Sequence, residues 1–316
     1  MRLFVFVTSL LLASSALAQQ YPTRVVRYLV SDQAGSATDL LARITAEGLS
    51  EVFGQQVIVD NRPGAGGNIA GEIGARANAD GYTLLQVATT HAVNATLYKS
   101  LGYNIMRDLT GITQLAAGPS IVVVPSSSTL KSVTDVISAA KAKPGALTYG
   151  SAGTGTCSFL AGELFKRQAG VNILHIPYKG GAAALTSLAA GETSVYFAPL
   201  SAALPLVRQG RLTALAVTTN KRLEQLPNAP PAIEAGLPGY QFTCWYGLMA
   251  PAATQPKIIA TINAAVLKVL ANPSAQRRLA ELGFITVGDK PEEFTAHVKA
   301  QVEAYRAITR DLPQPQ

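Results

Sequence analysis

The chain has 316 residues, 48% of them hydrophobic, with 26 Lys and Arg against 19 Asp and Glu. That much apolar material over this length fills a large core, which excludes intrinsic disorder and allows two α/β lobes or one large domain. The basic residues behind the formal charge of +7 are spread singly, without the runs that nucleic-acid binders use.

Arg2 precedes the largely apolar stretch Leu3 to Leu12, and Ser14, Ser15 and the tripeptide Ala16-Leu17-Ala18 follow. This is the layout of a secretory signal peptide with cleavage after Ala18. The apolar core falls short of the ~20 residues a bilayer span needs, so an exported, soluble protein is expected.

Short β-branched runs then alternate with Ala/Leu-rich stretches, the pattern of βα units. Val25 to Val30 reads as a strand, followed by a loop to Thr38 and a helix from Asp39 through Leu49. Val57 to Val59 is a second strand, ending in the Gly-rich loop Asp60 to Asn68, and Thr83 to Val87 is a third, closed by Ala88-Thr89-Thr90-His91. A second set starts at Ile121 to Val124. In it Leu147 to Tyr149 leads through Gly150 to Thr156 into a helix over Phe159 to Arg167. Ile173 to Ile176, Ser194 to Phe197 and Ala214 to Val217 supply further strands. From Pro256 onward the text is helical, over 258–270, 273–282 and 291–310. Two sets of βα units imply two lobes.

Ligands of open α/β sheets collect at the carboxyl ends of strands, where the next helix offers free N–H groups and the positive end of its dipole. Here those loops are rich in Gly, Ser, Thr and Ala. Small residues admit a ligand close to the backbone and hydroxyls add donors, which suits a carboxylate.

Other chemistries find little support. Gly150-Ser151-Ala152-Gly153 is one residue short of a nucleophile elbow, without evident Asp and His partners in hydrolase order. No Lys-Ser/Thr follows its glycines, so it is not a Walker loop, and the Gly150, Gly153, Gly155 order differs from a dinucleotide fingerprint. His91, His175 and His297 lie far apart and no acidic cluster has calcium-loop spacing, so neither metal nor cofactor is expected. Cys157 and Cys244 could form one disulfide or remain two partly buried thiols. Asp39, in the first turn of a helix, suits a cap or dipole partner better than a general base.

Four segments carry a family resemblance: Gly35-Ser36-Ala37-Thr38-Asp39-Leu40-Leu41-Ala42-Arg43, Asp60 to Asn68, Tyr149 to Thr156, and His175-Ile176-Pro177-Tyr178-Lys179-Gly180-Gly181. With the signal peptide, Leu226 to Pro230, Glu234 to Tyr240 and Trp245 to Pro251, they make the chain similar to the periplasmic receptors of tripartite tricarboxylate transporters, the Bug family. The likeness covers essentially the whole mature chain. It implies an α/β, type II periplasmic binding protein: two lobes with a ligand cleft between them, closing like a Venus flytrap on a small carboxylate for delivery to a membrane permease. After the signal peptide (1–18), lobe one would comprise 19–116 with 247–316 and lobe two 117–246, with chain crossings near Ile112 to Gly118 and Phe242 to Met249. A monomer without enzymatic activity is expected.

Carried onto this sequence, the resemblance nominates Ser36, Thr38, Asp39, Ala65 and Thr90 from one side, and Ser151, Thr154, Gly155, Thr156 and Ala198 from the other, as ligand-binding residues. Three departures stand out. Ser31-Asp32 replaces a Pro-Phe pair, putting an acid near the mouth. Ala198 stands where an Asp is common, and Phe159 where a His is common; both suggest a more apolar wall and a less polar carboxylate. Arg62 and Lys179 are either carboxylate partners or bound to neighbouring carbonyls and solvent. Two other functions fit such a chain: an exported esterase using Ser151, and a solute sensor for a membrane signalling partner.

Overall fold

The computed structural model describes residues 21–310; the expected signal peptide lies outside them. The first half of the molecule opens with β1 (Val26–Val30), α1 (Ala37–Phe53), β2 (Val57–Asn61), α2 (Asn68–Ala75), β3 (Thr83–Ala88), α3 (Thr89–Leu97) and the short α4 (Ile105–Asp108). Next come β4 (Leu109–Pro125), α5 (Val133–Ala142), β5 (Thr148–Ser151), α6 (Cys157–Ala169), β6 (Leu174–Pro177), α7 (Gly181–Ala189), β7 (Val195–Pro199), α8 (Leu200–Arg208) and β8 (Leu212–Val217). The chain returns through β9 (Thr243–Pro251) and ends with α9 (Pro256–Ala271), α10 (Pro273–Glu281), β10 (Ile285–Thr286) and α11 (Pro291–Thr309). Each of α9, α10 and α11 starts on a proline, whose fixed φ and missing N–H suit a first helical turn. Among the described residues no single helix is long and apolar enough to cross a membrane.

The strands lie in the order β2-β1-β3-β9-β4-β7-β5-β6, with β8 and β10 also paired to β4. β1 pairs in parallel with β2 and β3, and β5 pairs in parallel with β6 and β7. These are βα units, and parallel strands covered on both faces read as unbroken apolar runs, as Val-Arg-Tyr-Leu-Val of β1 nearly does. The 17-residue β4 joins the two sets: Leu109 to Pro119 pairs with β9, whereas Ser120 to Pro125 runs between β7 and β8. The two stretches expected as crossings, 112–118 and 242–249, thus lie almost wholly in paired strands.

Most elements were legible, with extended ends. α1 starts two residues before Asp39 because Ser36 caps it: the Ser36 hydroxyl accepts the Asp39 N–H at 3.2 Å. At its far end Gly54 takes the left-handed conformation of a helix stop, φ 64°. α3, α4, α5, α7, α8, β9 and β10 were not anticipated. In α7, the sequence Gly-Ala-Ala-Ala-Leu-Thr-Ser-Leu-Ala buries only Ala184, Leu185, Ser187 and Leu188, so its apolar stripe is thin. A large core centred on β1, β3, β4 and β9 is joined by a smaller one in which Ile121, Val123, Leu185, Leu188, Tyr196 and Leu204 pack under α7 and α8.

Candidate functional site

The strand ends of the two βα sets face each other across two adjoining cavities. One, of about 270 Å³, is bordered by Ser36, Ala37 and Thr38 at the start of α1, Cys157 and Ser158 at the start of α6, and Gly181 and Ala182 at the start of α7. It continues along α7 and α8, past Leu185, Ala189, Ala202 and Leu206, to Arg211. The other, of about 540 Å³, lies between the Gly64-Ala65-Gly66-Gly67 loop and the Gly153-Thr154 turn, with Tyr178, Lys179 and Gly180 on its rim. Six residues border both: Asp32, Thr38, Ala88, Thr90, Ala152 and Thr156. They form a collar between the two chambers.

The chemistry of the lining follows from the helix starts. The first N–H groups of a helix have no carbonyl within it, and carry the positive end of its dipole. α1 and α6 present such starts from opposite sides, with hydroxyls of Ser36, Thr38, Thr156 and Ser158 beside them. The α6 turn is braced from within: the Thr156 hydroxyl donates to the Gly153 carbonyl at 2.6 Å, and the Ala152 N–H donates to the Ser158 hydroxyl at 3.0 Å. On the other side a buried relay fixes α1. The Tyr28 hydroxyl donates to Gln86 at 2.8 Å, and the Gln86 amide donates to the Thr38 carbonyl at 2.9 Å. A cleft lined chiefly by neutral donors holds an anion through directed hydrogen bonds, which strengthen as water is excluded.

The structure places Ser36, Thr38, Ala65, Thr90, Thr154 and Thr156 on the cavity walls. Asp39, Ser151, Gly155 and Ala198 stand behind them. The Asp39 side chain is 2% exposed and accepts from the Gly35 N–H, the Arg43 guanidinium and the Asn61 amide, each at 2.9 Å. Burial opposes its charge, but those bonds prevail and hold its pKa below the usual carboxylate value. Asp39 is therefore the anchor of the α1 start. Gly155 is turned toward Asn94, and its φ of +83° is the left-handed conformation glycine favours. Ala198 pairs with Ile121 and is fully buried in the smaller core, while the next residue, Pro199, reaches the cavity. Phe159 is also buried, tilted against the His175 ring at 4.9 Å, so it supplies no apolar wall. Apolar lining comes instead from Leu185, Ala189, Ala202 and Leu206.

Ser151 has a partner the sequence did not reveal. Its hydroxyl lies 2.6 Å from Nε2 of His175 and accepts the Gly153 N–H at 3.0 Å. The His175 ring stacks on Tyr149 at 4.8 Å, and burial pushes its pKa down to about 4, so near neutrality the ring is uncharged. Which of the two donates is set by the imidazole tautomer. Ser151 is fully buried and borders neither cavity; the pair stiffens the turn that carries Gly153 and Thr154. Glu163, between the two in sequence, binds the Tyr149 hydroxyl and Lys166.

The remaining questions of the sequence resolve plainly. Cys157 and Cys244 form a disulfide, tying the start of α6 to β9. Arg62 pairs with Asp60 at 2.9 Å, whereas Lys179 borders the larger chamber. Among the described residues no group of three or more His, Cys, Asp and Glu could hold a metal. The lining residues that sequence reasoning missed, Leu185, Thr186, Ala202, Tyr196, Arg211 and Tyr246, come from the unanticipated helices, from strands whose inward faces were not assigned and, for Arg211, from the turn between α8 and β8. The one sequence signal for them was the small-residue stretch from Ala182 to Ala190.

Three solved structures closely resemble the chain. Rpa4515 of R. palustris, solved with adipate, is 37% identical, with a TM-score of 0.88 over 92% of this chain and 97% of that one. The periplasmic binding protein BugD is 30% identical, with a TM-score of 0.87 over 92% and 98%. MatC from Rhodopseudomonas palustris, with bound malate, is 28% identical, with a TM-score of 0.86 over 92% and 100%. The shared fold is the expected one, two α/β lobes around a cleft. The sequence profile of the tripartite tricarboxylate transporter family receptor matches residues 41–313, and the chain belongs to that family.

Proposed function

We propose that the protein is an exported receptor that captures a small carboxylate between its two lobes and delivers it to a tripartite tricarboxylate-type membrane permease. The observation that carries this reading is the pair of helix starts, α1 and α6, opposed across one cavity with hydroxyls rather than fixed cations beside them. Ser36, Thr38, Thr90, Thr154, Thr156 and Ser158 bind the anion, with backbone amides of the first helical turns. Residues 1–18 are removed on export to the periplasm, and the mature protein acts as a monomer. The lobes comprise 19–116 with 247–316, and 117–246; the change of partner along β4 between Pro119 and Ser120 supports that division. The adipate and malate bound by similar proteins make these two acids the first probes.

A ligand that binds only the folded state raises the melting temperature by mass action. Adipate, malate or another member of a carboxylate panel is expected to do so, and Thr154→Trp, which puts a bulky ring into the larger chamber beside the collar, is expected to abolish the rise. A broad panel without effect on the mature protein sinks the proposal.

The Ser151–His175 pair favours one second reading, an esterase. Burial of Ser151 argues against it, since a nucleophile must reach its substrate. Turnover of a chromogenic ester that disappears in Ser151→Ala decides for the esterase.

A further inference from the structure

We infer that Asp32 is a specificity-determining residue that selects, among small carboxylates, those bearing an ammonium group near the anionic end. The inference rests on the receptor reading above and adds the ligand's second charge.

Asp32 is the one ionisable residue of the collar and borders both chambers, so a ligand passing from one to the other meets it. One carboxylate oxygen, Oδ2, accepts the Thr38 hydroxyl at 3.0 Å, and the Asp32 carbonyl accepts the Asn61 amide at 2.9 Å. The side chain is thereby held in place. Oδ1 has no hydrogen bond among the described residues, and no Lys or Arg among them lies within ion-pair distance of either oxygen. The cations of the lining, Lys179 and Arg211, border different chambers. Near the carboxylate stand Tyr196, Tyr246 and the Asp39 anion, none of which neutralises it. Protein crowds the group, and this desolvation raises its pKa.

An unpaired acid in a cleft built for anions is an electrostatic conflict if the guest is a plain carboxylate. Ionised, it repels the guest; protonated, as burial favours, it leaves the site without a charge partner; in both forms it consumes the Thr38 hydroxyl as a donor. A guest that carries a cation removes the repulsion: its carboxylate takes the helix-start amides and its ammonium takes the free oxygen of Asp32, while the Thr38 hydroxyl stays on Oδ2. The Asp32 carboxylate, set beside the partial positive charge of the helix starts, recognises a zwitterion, and the pair penalises a ligand lacking either charge.

The test is calorimetry on the mature, disulfide-bonded protein with two matched pairs, adipate against 2-aminoadipate and malate against aspartate. Wild type is expected to bind an amino member about tenfold or more tightly than its parent acid, and Asp32→Asn to erase that ratio by weakening the amino member and strengthening the parent. The wild-type ratio stands as a test even if the variant does not fold. A ratio near one in wild type, or one that Asp32→Asn leaves unchanged, overturns the inference while the receptor reading survives. Equal loss of both members in Asp32→Asn also overturns it, assigning Asp32 to support of the loop. If none of the four probes binds wild type at millimolar concentration while another carboxylate does, the inference fails alone; if no carboxylate binds, the receptor reading fails with it.

Discussion

Asn94, on α3, reaches across the cleft to the backbone of Gly155 on the opposite side: a β-carbon at Gly155 would overlap the Asn94 carbonyl oxygen. The Asn94 amide donates to the Gly66 carbonyl at 2.7 Å and to Asn68 at 3.0 Å, so its oxygen is fixed toward the facing turn. Gly66 in turn lies so near Thr154 that a β-carbon there would sit 3.1 Å from the Thr154 carbonyl. At this point the two sides meet through the Asn94 side chain and the backbones of Gly66, Thr154 and Gly155.

Gly155→Ala is therefore expected to keep the fold but hold the lobes apart, since alanine strains a left-handed position by about 1–2 kcal/mol and collides with Asn94. Ligand affinity should fall at least tenfold, measured by calorimetry with the best carboxylate. Adding Asn94→Ala to Gly155→Ala should recover part of the loss; no recovery excludes the collision as the cause.

Reduction of Cys157–Cys244 should destabilise the protein. The bridge closes a loop with a sequence separation of 87 residues, for which chain entropy gives about 4.6 kcal/mol. Because Cys157 opens α6 at the cavity wall, the Cys157→Ser/Cys244→Ser double variant should also bind ligand more weakly. Urea unfolding with and without reductant measures the first effect. Equal midpoints would contradict it.

Acid should weaken the fold through two imidazoles. His91 is fully buried, accepts the Ala88 N–H at 3.1 Å, and has its pKa pushed down to about 4 by burial, as has His175. In the unfolded chain both titrate near 6.5. Between these values the unfolded state holds more protons, so stability is full above about pH 6.5 and declines as pH falls toward 4. Melting temperatures across this range should fall with a slope that His175→Gln reduces; a flat profile refutes the assignment.

Asp39→Asn should loosen the start of α1 by about 1–3 kcal/mol, because it breaks a charge-assisted set with Arg43, Gly35 and Asn61. Its folded pKa is lowered, so its contribution is present above about 3.8 and is lost as pH falls through the folded value. Binding should weaken with stability, since Ser36 and Thr38 ride on the same turn. Chemical denaturation at pH 7 and pH 3 should show a smaller wild-type advantage at the lower pH.

What the sequence disclosed followed the strength of its signals. Ser36 and Thr38 were nominated by the family resemblance, in a strand-end loop whose small and hydroxyl residues suit a carboxylate; that Ser36 caps α1 is visible only in the structure. Strands β1, β3 and β7 were plain from short apolar runs of Val, Leu and aromatic residues bounded by polar or turn residues. α7 was not, because alanines and hydroxyls leave little contrast between its faces. Ser151 and His175 meet only because β5 and β6 pair in parallel, a long-range fact absent from local spacing. Ala198 and Phe159 were misjudged for a related reason: a residue's neighbour along a strand or helix points elsewhere, and a family position does not fix that direction.

The collar makes the two chambers one instrument. A short solute resting in either chamber meets those six side chains once, at its edge, whereas an elongated one threads them and presents its middle. Exchanges at Asp32 or Thr156 should therefore redraw the whole repertoire of guests at a stroke, while exchanges deep along α7 and α8 trim only the far end of the longest.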